Sequence, residues 1–250
     1  MNTRKEKIRL EEIKKIILVT SGKGGVGKST IASNIALALA RQKYLVGLAD
    51  LDIYGPSIPK IFSIEEEKSR IINNKFVPIN KFNIKLMSMG FVIPNKIGLV
   101  WRGPLLIKAL HRLLSFTQWD RLDYLIVDMP PGTGDVHLTT LQRYHIDAVV
   151  IVTTPHALSI SEIVRHVNML EKLSTNILGI IENMTYFLDQ IGSRQYIFGN
   201  SIVSKYCQVN KIKYLDSLPI IKEIATDYLV SKEVKVFDNV IHDIIQNLSL

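Results

Sequence analysis

The sequence predicts a three-layer α/β fold in which a mostly parallel sheet is covered by helices on both faces. Short apolar runs alternate along the chain with longer stretches in which apolar residues recur at helical spacing. Such alternation implies right-handed crossovers between parallel strands. In addition, 47% of the 250 residues are hydrophobic, which is enough to bury a large core. We therefore predict a single domain over residues 1–250, in which residues 1–14 form a charged N-terminal tail or helix.

Each element follows from its own residue pattern. A strand buried on both faces is a continuous apolar, β-branched run, and such runs lie at residues 16–20, 46–50, 86–89, 124–128, 149–153 and 177–181. Apolar residues three to four positions apart predict a helix, and this pattern lies at residues 30–41, 103–115, 136–144, 159–173, 199–206 and 234–248. The polar, turn-prone stretch 63–81 interrupts the order, and we interpret it as a surface excursion.

Residues 22–30 form a glycine-rich loop of the kind that binds phosphate, between the first predicted strand and helix. Its glycines let successive backbone N–H groups converge on phosphate oxygens, and the start of a helix favours an anion. In this motif Lys28 reaches the β- and γ-phosphates, and the Ser29 hydroxyl ligates Mg²⁺. We therefore expect ATP and Mg²⁺ as cofactors. The predicted nucleotide-binding residues of the loop are Gly22, Lys23, Gly24, Gly25, Val26, Gly27, Lys28, Ser29 and Thr30.

Lys23 adds a second lysine to this loop. One interpretation is a solvated cation on a loop. The other is a catalytic charge, which we favour because few charges lie in a phosphate-binding loop.

Two predicted strands end in aspartates, at the edge where an open parallel sheet binds its ligands. Asp128 follows four apolar residues, as does the acidic strand end that holds Mg²⁺ in phosphate-loop NTPases. In the loop after it, the Gly132 N–H is placed to bind the γ-phosphate, so this loop is a candidate nucleotide switch. Asp52 is a better candidate than Asp50 to orient the attacking water, because it lies in the loop beyond its strand. The predicted catalytic residues are Lys23, Lys28 and Asp52.

Composition indicates where the protein acts. The formal net charge of +8 permits contact with nucleic acid or an anionic surface. The basic residues are nevertheless scattered, apart from an N-terminal group that glutamates interrupt, and a nucleic-acid-binding arm is the minority interpretation of that group. No apolar run reaches the ~18 residues that span a bilayer, and no signal-peptide core is present. We expect a cytoplasmic protein with no membrane contact and no nucleic-acid partner.

Cys207 is the only cysteine, so an internal disulfide is impossible. We expect it to be a buried, unreactive thiol.

Several stretches together resemble the Mrp/ApbC (Nbp-type) iron–sulfur cluster carrier ATPases. These belong to the deviant phosphate-loop group that includes MinD, ParA and the nitrogenase iron protein. The resemblance covers about residues 14 to 230, nearly the whole chain. The phosphate loop with Lys23 is shared across the group, whereas the Ile-Tyr-Gly-Pro-Ser and Trp-Arg-Gly-Pro stretches are more specific to this family. The matching stretches are residues 19–30, 50–57, 101–104, 128–135 and 182–187.

The resemblance implies roles for single residues. It implies that Lys23 reaches across a homodimer to the nucleotide of the partner subunit and that Asp52 activates water. It also implies that Asp128 is associated with Mg²⁺ and that Asn183 binds adenine. Residues 215–219 resemble the family's late loop near the base. The implied function is ATP-coupled transfer of an iron–sulfur cluster to apoproteins, so apoprotein clients or assembly proteins are expected partners.

The chain departs from the family pattern at the cluster ligands. Members usually carry a Cys-x-x-Cys pair after the Asn-Met-Thr-Tyr-Phe stretch, but residues 188–199 contain no cysteine. Cys207 would supply two thiolates per dimer, whereas a cluster normally requires about four ligands. No iron–sulfur ligand is therefore identified. The roughly 15 residues before the first strand are also too few for the accessory N-terminal domain of many members, so we expect none.

Three functions stay open at this point. The first is a dimeric ATPase in iron–sulfur cluster assembly or transfer. The second is a dimeric ATP-driven switch that has lost cluster binding and binds a protein partner. The third, less favoured by the family-specific stretches, is a ParA/MinD-like positioning ATPase.

Overall fold

The apolar runs of the sequence form one continuous sheet in a computed structural model, which describes residues 6–92, 103–156, 158–199, 201–221, 229 and 237–248. The strands in these ranges are β1 (Ile13–Ser21), β2 (Val46–Asp50), β3 (Ile71–Ile72), β4 (Lys75–Phe76), β5 (Ile79–Lys81), β6 (Ile84–Ser88), β7 (Leu122–Asp128), β8 (Ala148–Thr153), β9 (Ile177–Glu182), β10 (Phe187–Leu188), β11 (Arg194–Gln195) and β12 (Tyr214–Ser217). The helices are α1 (Lys28–Arg41), α2 (Ile58–Ile61), α3 (Gly103–Ser115), α4 (Asp135–Arg143), α5 (Ser159–Lys172), α6 (Val203–Asn210) and α7 (Asp238–Asn247).

The main sheet has eight strands in the order β12-β9-β8-β1-β7-β2-β6-β5. All neighbours in this sheet are parallel except β5, which pairs antiparallel with β6 at one edge. Successive parallel strands are joined through helices, because a parallel pair requires a crossover connection. The phosphate-loop strand β1 therefore lies inside the sheet, between β8 and β7.

The two faces of the sheet are covered by different helices. Alternate side chains of a strand point to opposite faces, so Ile17 and Val19 of β1 enter one core with α1, α2 and α7. Ile16 and Leu18 enter the other core with α3, α4, α5 and α6. This arrangement confirms the predicted three-layer α/β fold. None of the helices in the described ranges has the length and apolar composition needed to cross a bilayer.

The predicted strands and the helices α1, α3, α4 and α5 agree closely with the structure, but other predicted elements do not. The helix predicted at 199–206 exists with other bounds, since α6 runs from Val203 to Asn210. Gly199 lies outside the helix because its φ is 77°, which a right-handed helix cannot contain. The helical alternative for residues 1–14 is not found in residues 6–12, where Ile8 instead forms a parallel bridge with Tyr144. Of the helix predicted at 234–248, residues 234–236 lie outside the described residues.

Six of the strands in the described ranges were not predicted, namely β3, β4, β5, β10, β11 and β12. The stretch 63–81, expected to be a surface excursion, contains the small hairpin of β3 and β4 and also contributes β5 to the main sheet. The turn from β5 to β6 uses Phe82 and Asn83 with φ of 52° and 61°, as a tight hairpin turn requires. Residues 215–219, interpreted as a late loop, lie partly in β12, the strand at the other edge.

Candidate nucleotide-binding site

The carboxyl ends of β1, β7 and β2 bring the predicted site residues together. Asp128, the last residue of β7, is the register partner of Val19 in β1 and of Asp50 in β2. The glycine-rich loop continues from β1, so it faces the two acidic strand ends, as an open parallel sheet predicts. A cavity of about 250 Å³ lies there, lined by Ser21, Lys23, Gly24, Gly25, Gly27, Lys28, Ser29, Thr30, Asp52, Ser57, Lys60, Ile61 and Pro131.

Gly27 shows why the loop needs glycine before α1. Its φ is 82°, a left-handed conformation that costs L side chains free energy. A Cβ atom on Gly27 would also lie 2.4 Å from Asn183 Nδ2, so the Asn183 side chain would have to move. Helix α1 begins at the next residue, Lys28, and its first turn contains no acidic residue. The free N–H groups of this turn are therefore available to an anion.

Lys28 and Asp128 form a buried ion pair at the centre of the site. The side chain of Lys28 is 6% exposed and that of Asp128 is 0% exposed. Lys28 Nζ donates to Asp128 Oδ1 and also to Ser29 Oγ, at 3.2 Å. Burial raises the pKa of the Asp128 carboxyl, while the adjacent Lys28 opposes this increase. The Lys28 ammonium group is thus held at the base of the loop, in contact with both the Asp128 carboxylate and the Ser29 hydroxyl.

The donor atoms beside this ion pair fit Mg²⁺. Asp128 Oδ2 is buried and has no hydrogen-bond partner among the described residues. A buried oxygen without a partner is costly unless a ligand or ion completes it. Hard oxygen donors such as this carboxylate and the Ser29 hydroxyl are those that Mg²⁺ prefers, and it is usually bound by one or two carboxylates together with phosphates.

Asp50 and Asp52 lie in different environments. Asp50 is fully buried and accepts hydrogen bonds from the backbone N–H groups of Asp52, Ser57 and Ile58 at 3.0–3.2 Å and from the Ser88 hydroxyl at 3.1 Å. Burial, followed by the charge of Asp128, raises the pKa of Asp50 to about 7. Asp52 lines the cavity, and its Oδ1 accepts a hydrogen bond from the Gly55 N–H at 3.2 Å. Asp50 therefore holds the loop in place, whereas Asp52 faces the space for a ligand.

Of the other predicted residues, Lys23 lines the same cavity, whereas Gly132 and Asn183 are next to the lining residues Pro131 and Gly27. Lys23 is half-buried at its wall, and its side chain makes no hydrogen bond or ion pair with the described residues. The Gly132 N–H donates to the Ser21 carbonyl at 2.9 Å. Asn183 Nδ2 donates to the carbonyl of Val26 at 2.9 Å, while the Val26 side chain is buried in the core. Asn183 thus supports the phosphate loop directly, a contact that its position after β9 did not reveal.

The segment in which the family resemblance led us to expect a cysteine pair is a short hairpin of β10 and β11. Asp189 organises its turn, because its carboxylate accepts from the N–H groups of Ile191 and Ser193 and from the Gln195 side chain at 2.8–3.1 Å. Nothing in the described ranges groups three or more His, Cys, Asp or Glu side chains in an arrangement that could hold a metal ion. The described residues of one chain therefore do not supply by themselves the ligands that a cluster normally requires.

Large apolar side chains are exposed on and around this hairpin. Ile191 is 87% exposed, and the set also contains Phe187, Leu188, Tyr196, Ile197, Phe198 and Ile202. Contiguous exposed apolar surface indicates an interaction site more often than single exposed residues do.

Cys207 is 1% exposed in α6, and burial raises the pKa of its thiol to about 11. The prediction of a buried thiol is confirmed, and the raised pKa makes it a poor nucleophile or metal ligand.

Sequence reasoning missed a buried histidine pair beside the phosphate loop. Thr20 Oγ1 lies 2.9 Å from His137 Nε2 and 2.8 Å from His166 Nε2. Burial lowers the pKa of His137 to about 3, with smaller effects of the nearby His166 and Lys28, and burial lowers that of His166 to about 4. The three residues are 117 and 146 positions apart, so no local pattern could have identified the contact.

These depressed pKa values predict a pH dependence of stability. An unfolded histidine, with its pKa near 6.5, takes up a proton before the buried one does. Above pH 6.5 the neutral buried histidines do not reduce the free energy of unfolding. As the pH falls, protonation of the unfolded state lowers that free energy by roughly 1 kcal/mol per histidine between pH 7.5 and 5.5. Urea unfolding at both pH values should show that the wild type loses about 1 kcal/mol more than His166→Gln, which cannot titrate. Asp50 is common to both proteins and cancels, so equal losses would contradict the prediction.

The glycine-rich loop between a central parallel strand and the first turn of a helix, facing an acidic strand end, defines the class of phosphate-loop NTPases. Comparison with known proteins gives the family. The family model described as "ParA: NUBPL iron-transfer P-loop NTPase" matches residues 12–248, and the chain belongs to this family.

Relatives and solved structures agree with this assignment. The chain is 46% identical over 221 residues to the iron-sulfur cluster carrier protein of Rickettsia felis, with 88% of this chain and 66% of that protein covered. It thus spans slightly less than two thirds of that relative's length. A nucleotide-binding protein from Archaeoglobus fulgidus in complex with ADP has a TM-score of 0.77 and 36% identity, covering 88% of this chain and 87% of that one. The cell division ATPase MinD of Pyrococcus furiosus has a TM-score of 0.67 over 93% of this chain and 99% of its own, but at 18% identity it shows the fold alone.

Proposed function

We propose that this protein binds ATP with Mg²⁺, hydrolyses the ATP, and uses the cycle in iron–sulfur cluster assembly or transfer to apoproteins. The observation that carries the ATPase proposal is the single cavity on which the phosphate loop, Lys28 and Asp52 converge, with the Asp128 oxygen beside it. The cluster proposal rests on the family and on relatives named as iron-sulfur cluster carriers. The cytoplasmic location stays a prediction.

In the proposed reaction each residue has a distinct task. The loop N–H groups bind the phosphates, and Lys28 turns from Asp128 towards the β- and γ-phosphates. Ser29 and Asp128 would hold Mg²⁺, which supplies positive charge that neutralises the phosphates. Asp52 orients the attacking water in line with the γ-phosphate, since phosphoryl transfer depends on positioning and electrostatics more than on covalent help.

The loop after β7 is the proposed nucleotide switch. In the structure the Gly132 N–H is bonded to the Ser21 carbonyl, so it must leave that partner before it can bind a γ-phosphate. Exchange of one acceptor for another gives the loop two defined arrangements. Hydrolysis would then return Gly132 to Ser21.

We also propose a homodimer, in which Lys23 binds the phosphates of the partner subunit. The support is the position of Lys23 at the cavity wall, with its ammonium group unpaired among the described residues. Asn183 is the proposed adenine contact. Its amide donates one N–H to Val26, and a primary amide has a second N–H and an acceptor oxygen.

A second candidate function is an ATP-driven switch that binds a protein partner and no cluster. It is favoured by the hairpin of β10 and β11, which has no cysteine and exposes large apolar side chains such as Ile191. The same ATPase site serves both candidates. They differ in what the hairpin contacts.

Anaerobic reconstitution with iron and sulfide separates the two candidates. A carrier should gain the visible absorption band of a cluster. In a separate light-scattering measurement, a protein that dimerises with ATP should increase in mass when ATP is added. ATP hydrolysis without any absorption band would exclude direct cluster carriage and favour the switch. If the mass with ATP equals that of a monomer, the homodimer and the proposed role of Lys23 are excluded.

A further inference from the structure

One hydroxyl group at the end of β1 joins two helices. Thr20 Oγ1 is within hydrogen-bond distance of His137 in α4 and of His166 in α5. All three side chains are at most 2% exposed. The two imidazole rings meet edge to face, with centroids 5.4 Å apart. The strand that leads into the phosphate loop is therefore bonded to the helices on one face of the sheet.

The hydrogen atoms of this triplet can be assigned by elimination. A threonine hydroxyl has one hydrogen, so it donates to one ring and must accept from the other. His166 Nδ1 is buried without a partner among the described residues, and a proton there would leave a buried donor unsatisfied. His166 therefore carries its proton on Nε2 and donates to Thr20. Thr20 in turn donates to Nε2 of His137.

This triplet is adjacent to the proposed switch loop. Loop residues 129–134 are attached to β1 at their start, where the Met129 N–H donates to the Val19 carbonyl at 3.0 Å. At their end His137, in the first turn of α4, is bonded to Thr20. Between these two points the Gly132 N–H donates to Ser21. The loop is thus fixed to one strand at both ends.

Helix α5 closely approaches the same strand end. A Cβ atom added to Gly22 would lie 2.5 Å from the Cβ of Glu162, so α5 is packed directly on the phosphate loop. His166 follows Glu162 by one turn on the same helix face. Its bond to Thr20 fixes the direction of the hydroxyl that His137 uses.

We propose that Thr20, His137 and His166 are positioning residues that anchor the end of the switch loop, so that the Gly132 N–H is held where a γ-phosphate can capture it. The proposal rests on the proposed ATP hydrolysis. It assigns no contact with the nucleotide to the three residues. Loss of the anchor should loosen the loop and slow turnover, while the phosphate loop still binds ATP.

Thr20→Val tests this role, because valine keeps the shape of threonine and removes the hydroxyl. We expect kcat for ATP hydrolysis to fall about tenfold or more, since small displacements of positioning groups have effects of that size, while KM for ATP changes by less than about twofold. Hydrogen exchange at the amides of residues 132–137 should become faster. Thr20→Ser, which restores the hydroxyl, should recover most of kcat and the slow exchange.

A matched control separates positioning from folding. Thr117 is another buried threonine, 5% exposed, whose hydroxyl donates to the Leu113 carbonyl away from the site. Thr117→Val should lower stability and leave kcat unchanged. If Thr20→Val lowers only the melting temperature, with kcat and loop exchange as in the wild type, the triplet is merely structural and the proposal fails.

Two other results, an unfolded Thr20→Val variant and an inactive wild type, differ from the failure of the proposal. If Thr20→Val does not fold, His137→Gln and His137→Leu give the same comparison, because only glutamine can bond the Thr20 hydroxyl. Equal kcat and exchange in these two variants would overturn the proposal. If the wild type itself hydrolyses no ATP, the proposed function fails instead, and loop exchange with and without ATP still tests the anchor.

Discussion

Lys28→Ala is expected to abolish ATP hydrolysis and to weaken ATP binding by about 100-fold or more. Each charge-assisted hydrogen bond to a phosphate contributes roughly 1.5–3 kcal/mol, and Lys28 is the lysine that the motif directs to both the β- and γ-phosphates. Its Nζ already lies at the base of the loop, next to the Ser29 hydroxyl. Isothermal titration with ATP and a phosphate-release assay measure the two losses.

The same substitution should also change stability, because Lys28 is the buried partner of Asp128. Removal of one partner of a buried pair typically costs about 3–5 kcal/mol when the other charge remains. Asp128 can avoid part of this cost by protonation, since burial raises the pKa of its carboxyl. The destabilisation of Lys28→Ala should therefore become smaller as the pH falls, because protonated Asp128 no longer needs a cation.

Lys14→Ala is the matched control for this prediction. Lys14 also pairs with an aspartate, Asp123, at 2.9 Å, but its side chain is 40% exposed and lies away from the cavity. Exposed ion pairs contribute about 0–1 kcal/mol. This variant should bind ATP as the wild type does. ATP affinity that survives unchanged in Lys28→Ala would contradict the assignment of the cavity as the phosphate site.

The parts of the site that the sequence predicts are those that depend on local chemistry. The phosphate loop needs a strand, glycines and a helix start in immediate succession, so the continuous stretch of residues 16–41 contains all the information for it. The acidic strand ends are similar, because the carboxyl ends of parallel strands meet at one edge. For this reason the positions of Asp52 and Asp128 in the sequence predict that they lie near the loop, and Asp52 lines the cavity while Asp128 contacts Lys28.

The parts that were missed depend on contacts between distant residues. The edge strand β5 has few apolar residues, and its pairing with β6 depends on a turn formed by two residues with positive φ. The Thr20 triplet joins three elements across two helix crossovers, and neither histidine stands out in its helix. The start of α6 was predicted too early because the spacing of apolar residues does not show where a residue with a left-handed conformation, here Gly199, excludes a helix.

Asp52→Ala should leave ATP binding within about twofold of the wild type and reduce turnover by about 10²–10⁴-fold, the usual contribution of a positioned acid–base group. The reason lies in the division of tasks between two aspartates. Asp50 is buried and accepts hydrogen bonds from the loop, whereas Asp52 borders the cavity. Asp52→Asn should reduce turnover similarly, because asparagine still accepts from the Gly55 N–H but carries no negative charge.

Asp50→Ala is the control that separates chemistry from loop structure. It removes the acceptor of the N–H groups of Asp52, Ser57 and Ile58, and each unsatisfied buried group costs about 1–3 kcal/mol. Its melting temperature should therefore fall sharply, whereas those of the two Asp52 variants stay close to the wild type. Single-turnover measurements with saturating ATP isolate the chemical step. Hydrolysis at the wild-type rate in Asp52→Asn would show that the charge of Asp52 does not act on the water, and a different group would then have to orient it.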